Sequence, residues 1–358
     1  MRKYLKNFFL NSASFDLQKP YQWTLIFTTS IVFLFQHLWV KGYFHDGYLY
    51  AVLGKNALLK GKWLLSSLNE IYFNVYISHP PLYFVIEGIF FSIFGHSWMS
   101  ARGLSCGLAL ILTVLLSYFV FDGSNTLKKK IFNLTSWAYF SGIFFALFPP
   151  LYKKARSPNL DIPLTLFISL GLFIYYKIYK SKFVAHGPVG HKSTGMCMWM
   201  WMLVGVCFGL ALLTKGPPAL ILPMTIALHL LVTGKLKYLF TPITLATTIP
   251  WIGLLLGIAI FSIWPLLLWQ VGEFGRFKDY INMQFFGTIV EGRGESRLLL
   301  FTYPYYLLEN LGPWFILSFP GIYLIIKERK ENPLGMLFLS WYCAVLIPFS
   351  FIHWKYSN

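Results

Sequence analysis

The chain alternates long apolar runs with short polar and mostly basic segments. The apolar runs lie near 22–40, 103–121, 133–151, 162–179, 198–213, 217–233, 239–263, 304–326 and 334–352. A helix needs about 17–25 such residues to cross a bilayer, so each run predicts a spanning helix. The run at 82–95 is different. It is about 14 residues long and contains Glu87, and runs of about 10–14 are more often interfacial or re-entrant. The pattern therefore predicts an all-α, polytopic membrane protein. It has about nine transmembrane helices plus juxtamembrane helices on one face, in a single domain over 1–358.

Composition agrees with this reading. The 358 residues are 56% hydrophobic and only 12% charged, where soluble domains run at about 25% charged. Aromatic residues make up 20% of the chain, many of them near the ends of the runs, where interfacial belts form. The four cysteines, Cys106, Cys197, Cys207 and Cys343, all lie inside apolar runs. Their spacing suits small core residues rather than a disulfide framework or a metal cluster. Arg2, Lys3, Lys6 and Lys19 precede the first run without a small-residue cleavage site, which predicts an uncleaved signal anchor.

The net charge is +17, but nearly all of it sits in loops between apolar runs. That placement points to the positive-inside bias and to anionic lipid or phosphate ligands, not to nucleic acid. Basic clusters occur at 2–19, 128–130, 177–192, 235–237 and 327–330. Placing them all inside makes every run from 103 onward alternate correctly. Asp46 then lies outside, and 82–95 cannot cross. Two long segments fall on the outer side, 41–101 and 264–303, and are expected to roof the active site. In the second, Phe277, Tyr280, Ile281, Phe285 and Ile289 recur at helical spacing, which predicts an amphipathic helix on the membrane surface over 276–290.

Candidate chemistry gathers on this outer side. Asp46 follows the first run, and a carboxylate there can act as a general base or hold a divalent cation. It can equally cap a helix over 48–60. The sequence itself requires no cofactor. Asp161 opens the fourth run beside Arg156, as a site acid or as a helix N-terminal acid favoured by the macrodipole. Lys215 stands at a Gly216-Pro217-Pro218 corner between two runs, either snorkelling or meeting a phosphate. Arg102, Arg276, Arg293, Arg297 and Lys355 are further outer cations, and guanidinium matches phosphate geometry. His79 precedes Pro80-Pro81, which preset the chain for the following helix. No second His or Cys stands at metal-ligand spacing from it. Glu87 could face the same cavity. GxGxxG, Walker and GxSxG motifs are absent, so nucleotide-driven transport has no motif support.

Taken in order, these residues resemble the integral-membrane glycosyltransferases of the GT-C type. The resemblance is to bacterial relatives of the dolichyl-phosphate-mannose–protein mannosyltransferases and to the lipid A aminoarabinose transferases. It is carried by His45-Asp46-Gly47-Tyr48, His79-Pro80-Pro81-Leu82-Tyr83, Phe94-Gly95, Ala101-Arg102, Ala155-Arg156 with Asp161, Leu213-Thr214-Lys215-Gly216-Pro217, Gly312-Pro313-Trp314, and Ser350 with Lys355-Tyr356. It covers most of 40–356.

The resemblance implies a bacterial plasma-membrane enzyme with its active site facing the periplasm or exterior. The donor would be a polyprenyl-phosphate-linked sugar and the acceptor a lipid or a protein. Asp46 takes the place of the family's first-loop acid and Asp161 of its second, which makes these two the catalytic candidates. Lys215 matches the lysine of the TKG corner. With Arg102, Arg156, His79, Arg293 and Lys355 it forms the candidate set for donor phosphate or acceptor.

Three departures stand out. Gly47 replaces a second acid that many relatives carry. Ser78-His79 replaces the Glu-Lys of aminoarabinose transferases, which argues against aminoarabinose as the sugar. The chain stops at Asn358 where relatives continue, as expected of a compact or truncated member or of a fragment. A transporter or flippase of lipid-linked sugars would show paired, broken spans in matching halves, and no such halves are visible. A non-catalytic membrane subunit is the remaining alternative.

Overall fold

The computed structural model describes residues 20–36, 38–42, 45–61, 63–68, 76, 78–124, 134–184, 194–240, 245–287, 305 and 307–351. Among these, the regular elements are all helical. In chain order they are α1 (Pro20–Phe35), α2 (His45–Lys60), α3 (Leu82–Phe94), α4 (Trp98–Ser124), α5 (Leu134–Leu147), α6 (Pro149–Ala155), α7 (Asp161–Tyr179), α8 (Thr194–Lys215), α9 (Ile221–Val232), α10 (Leu245–Gln270), α11 (Phe274–Ile281), α12 (Pro313–Lys327) and α13 (Pro333–Phe351). Each apolar run of the sequence carries a helix. Four described helices are long and apolar enough to cross a membrane: Trp98–Phe121, Asp161–Val184, Cys197–Lys215 and Thr248–Gln270. The short run is α3, thirteen residues that end at Gly95 with φ +74°, where a residue with no Cβ turns the chain cheaply.

Local chemistry sets the helix ends. Ser97 and Ser100 cap α4 reciprocally, each hydroxyl accepting the other's backbone N–H at 3.1 and 3.0 Å, so two otherwise unpaired groups at the helix start are satisfied. Within the bundle, Thr113, Ser117, Ser169, Thr214 and Thr225 donate their hydroxyls to the carbonyl four residues back. That arrangement hides a polar group inside an apolar bundle.

The core centres on α7, α8 and α9, where Leu172, Tyr176, Phe208, Ala211, Leu222 and Leu230 are buried together. Helix α10 joins it by glycine contact. A Cβ on Gly205 would lie 2.0 Å from the Gly253 carbonyl oxygen, and one on Gly257 would lie 2.8 Å from that of Gly205. Only small residues permit this backbone approach, a common device for packing helices in lipid. A second cluster joins α2, α3 and α4 through Tyr50, Leu53, Tyr83, Phe84 and Leu104, with Leu160 beneath them. Here Gly88 meets Gly54, its added Cβ lying 2.9 Å from the Gly54 oxygen. Large apolar side chains point outward on α10 (Leu255, Leu266, Trp269) and α12 (Ile316, Phe319, Tyr323), as a lipid-facing surface requires.

Two boundaries differ from expectation. Helix α2 begins at His45, so Asp46 lies inside the first turn rather than capping a helix at 48. The amphipathic helix expected over 276–290 spans Phe274–Ile281 and then widens into a π-helical turn, Asn282–Gly287. Ile289 lies outside the described residues.

Candidate active site

Asp161 is the first residue of α7 and Lys215 the last of α8. The two helices pack antiparallel, so these ends meet. Lys215 Nζ pairs with Asp161 Oδ1, and Lys154 Nζ stands 3.3 Å from Oδ2. The Asp161 side chain is 36% exposed and that of Lys215 28%, so the pair is open to a ligand rather than sealed in the core. The turn before α7 is fixed by side chains. Asn159 Oδ1 accepts the Asp161 N–H at 2.7 Å, and the Asn159 N–H donates to Tyr83 Oη at 3.2 Å. Tyr83, on α3, shares a second hydrogen bond with Ser105 Oγ of α4 at 3.1 Å.

The first-loop acid arrives from α2. Asp46 is exposed, in a helix first turn that favours a negative charge. Beside it, Gly47 rests on the same turn that presents Asp161: a Cβ on Gly47 would fall 2.2 Å from Ser157 Oγ and 3.3 Å from Pro158 Cδ. The space that a second acid would need is thus filled by Ser157 and Pro158, which accounts for glycine at 47. Tyr50, one turn further along α2, feels both carboxylates. Burial, then Tyr76, then Asp46 and Asp161 hold its hydroxyl far above the usual phenol range. The contact of Gly47 with Ser157 and Pro158 brings the start of α2, with Asp46, to the turn before Asp161.

His79 completes the group. Its ring lies 5.9 Å from that of Tyr50 and 6.4 Å from that of Tyr76. Burial and then the Lys215 charge push its pKa down to about 3, against a smaller opposing pull from Asp161. It is neutral at physiological pH, and its buried Nδ1 has no hydrogen-bond partner among the described residues.

The second outer segment closes on the same place. Tyr280 of α11 is buried, with its ring 5.0 Å from Trp264. A Cβ on Gly216 would lie 1.8 Å from the Tyr280 hydroxyl, so the residue after Lys215 has to be glycine for α11 to dock. Gln284 donates to the Ser78 carbonyl at 3.0 Å. Segment 274–287 is thus tied both to the Lys215 corner and to the residue before His79.

Asp46, Asp161, Lys215 and His79 lie at one end of the bundle, whereas Arg102 and Arg156 bond groups of the α1, α4 and α6 region. Arg102 donates to the Gly42 carbonyl. Arg156 bonds the Tyr152 hydroxyl and covers its ring at 4.8 Å, and Gln36 donates to the same hydroxyl at 2.8 Å. Both arginines serve the seam between α1, α4 and α6. Arg293 and Lys355 lie outside the described residues. Glu87 does not face the site. Its carboxylate is fully buried without a partner among the described residues, against Gly54 at the α2–α3 crossing, because Gly54 leaves room there for the glutamate stem. No group of three His, Cys, Asp or Glu suited to a metal ion occurs among the described residues.

Reading the sequence missed Lys154, Tyr50 and Asn159 as site residues. Tyr50 stands at i+4 from Asp46, a spacing that could have flagged it. Asn159 two residues before a helix-opening acid is an Asx-turn signal.

The helical bundle has the fold of the GT-C class of integral-membrane glycosyltransferases. Residues 78–269 match the family described as dolichyl-phosphate-mannose-protein mannosyltransferase, more than half of the chain, and the chain belongs to that family. Among curated relatives it is 23% identical over 320 residues to an undecaprenyl phosphate-alpha-4-amino-4-deoxy-L-arabinose arabinosyl transferase of Pseudomonas fluorescens, covering 87% of this chain and 51% of that protein. An uncharacterized protein of Aquifex aeolicus is 28% identical over 281 residues, covering 77% of this chain and 55% of that one. The chain thus spans about half the length of the curated relatives it matches. Its fold is similar to that of ArnT from Cupriavidus metallidurans bound to undecaprenyl phosphate, with a TM-score of 0.68 at 19% identity over 92% of this chain and 54% of that one. The archaeal oligosaccharyltransferase AglB from Archaeoglobus fulgidus, in complex with an inhibitory peptide and a dolichol-phosphate, follows with a TM-score of 0.53 at 14% identity, covering 93% and 49%.

Proposed function

We propose that this protein transfers a sugar from a polyprenyl-phosphate donor to a lipid or protein acceptor at the outer face of a bacterial plasma membrane. The observation that carries the reading is the Asp161–Lys215 pair, with Gly47, the neighbour of Asp46, packed on the turn that presents Asp161. The names of the relatives support the donor class, and the distribution of basic loops supports the outward orientation.

The chemistry follows from the geometry. Asp46 is the exposed carboxylate, free to take a proton from an acceptor hydroxyl or amine as that group attacks the anomeric carbon. The bond from that carbon to the phosphate oxygen breaks on the opposite face, so the centre inverts. The leaving polyprenyl phosphate keeps the electron pair, and Lys215 stabilises the charge that develops there. Asp161 holds Lys215 in position and orients the acceptor. His79 is neutral and contributes a hydrogen bond rather than a charge.

The test is transfer of radiolabelled sugar from undecaprenyl-phosphate-linked donors by the protein in membranes, with the product's anomeric configuration read by NMR. Label should appear in a lipid or protein fraction with the configuration opposite to the donor's. Retained configuration would remove the single-displacement mechanism, and label translocated without covalent transfer would establish a flippase.

A further inference from the structure

We propose that Tyr83 is a positioning residue for the Asp161–Lys215 pair, acting through the turn at 156–160; the inference rests on the transferase reading of that site. The turn is held from two sides. Below it, the Tyr83 hydroxyl accepts the Asn159 N–H at 3.2 Å and exchanges a hydrogen bond with Ser105 Oγ at 3.1 Å. Within it, Asn159 Oδ1 accepts the Asp161 N–H at 2.7 Å. Above it, Gly47 packs on Ser157 and Pro158. One turn therefore sets the distance between the helix that carries Asp46 and the residue that holds Lys215.

The Tyr83 ring has a separate role. It is fully buried against Tyr50, Phe84, Leu104 and Leu160, and that packing alone would be served by phenylalanine. The hydroxyl is what ties α3 and α4 to the turn. It accepts the Asn159 N–H and shares a bond with Ser105 Oγ in which either hydroxyl can donate, and a buried phenol left without partners would be costly. Without it, the Asn159 N–H loses its partner, the Asn159 side chain is free to leave the Asp161 N–H, and the first turn of α7 frays. Asp161 then samples positions away from Lys215.

The experiment compares wild type, Tyr83→Phe, Ser105→Ala and the double variant in membranes. Two readouts are taken: sugar transfer from an undecaprenyl-phosphate-linked donor, and the rate at which an amine-reactive reagent labels Lys215, followed by mass spectrometry. Tyr83→Phe should lower transfer about tenfold, the rate equivalent of roughly one lost hydrogen bond, chiefly in kcat. It should also raise Lys215 labelling several-fold. The double variant removes the serine that Tyr83→Phe strands. It should regain thermal stability while transfer stays low and labelling stays high. Recovery of transfer in the double variant would show that the hydroxyl only satisfies Ser105, and would overturn the proposal. So would wild-type labelling of Lys215 in Tyr83→Phe. If wild type transfers no sugar, the transferase reading fails, and the labelling result alone decides whether Tyr83 holds the pair.

Discussion

Two histidines at opposite ends of the bundle, His229 buried and His79 half-buried, are treated in opposite ways. His229 of α9 has both ring nitrogens occupied, Nδ1 by the Tyr175 hydroxyl at 2.8 Å and Nε2 by the Pro333 carbonyl at 3.2 Å. Only the Nε2–H tautomer fits both, and it joins α7, α9 and the start of α13. His79 lies against the rings of Tyr50 and Tyr76, yet its buried Nδ1 meets no partner among the described residues. Ser157 Oγ and Tyr280 Oη, beside the two acids and Lys215, are likewise buried and unpartnered. A buried polar atom without a hydrogen bond costs about 1–3 kcal/mol. Glu87 at the α2–α3 crossing carries that cost as well; what sets the Asp46–Asp161 end apart is that three such atoms stand beside two carboxylates and Lys215. The His229 pairing fastens helices together, whereas the unpaired atoms at the other end leave hydrogen-bonding capacity beside the acids.

The contrast can be broken most severely at the acids. Asp46→Asn should cut transfer by at least about 100-fold, the lower end for losing a positioned general base, with unchanged expression and thermal midpoint. Next comes Gly216→Ala. Its Cβ would collide with the Tyr280 hydroxyl, at a backbone φ of +74°. It should destabilise by about 1–3 kcal/mol and release α11, which limited proteolysis would detect.

The histidines should then respond in opposite directions. His229→Ala should lower stability by about 2–3 kcal/mol through two lost hydrogen bonds and a cavity. His79→Leu should leave stability level or slightly higher, since an orphaned polar atom is replaced by an apolar one, while transfer falls. Equal destabilisation by both, measured by thermal unfolding in detergent, would abolish the distinction.

The smallest effect is on pH. The His79 pKa is depressed from 6.5 to about 3, so below pH 6.5 the unfolded chain takes up a proton that the folded one refuses. The stability linked to His79 is fully present above pH 6.5 and is lost as pH falls from 6.5 towards 3. His79→Leu should flatten that slope, and a wild-type slope in the variant would refute the assignment.

The helices were legible because an apolar run of sufficient length in lipid has few alternatives to a helix. The length of 82–95, its Glu87 and the alternation of basic loops set it apart, and α3 occupies Leu82–Phe94. Asp46, Asp161, Lys215 and His79 were legible because charged or polar residues at the ends of apolar runs are conspicuous. Arg102 and Arg156 show the limit. Each was an equally conspicuous cation, but what it meets is decided by a backbone carbonyl and a ring that no spacing reveals. Tyr280 was visible only as part of an amphipathic stripe. Its contact with Gly216 crosses sixty-four positions of sequence and depends on the one corner where a Cβ is missing.

The most direct test of the central claim sets wild type beside Asp46→Asn in the same membranes, with radiolabelled sugar on undecaprenyl phosphate. Label reaching an acceptor with wild type and not with the folded variant is the predicted result. Equal transfer by the two would contradict the assignment of Asp46 and of the converging acids as the site of reaction.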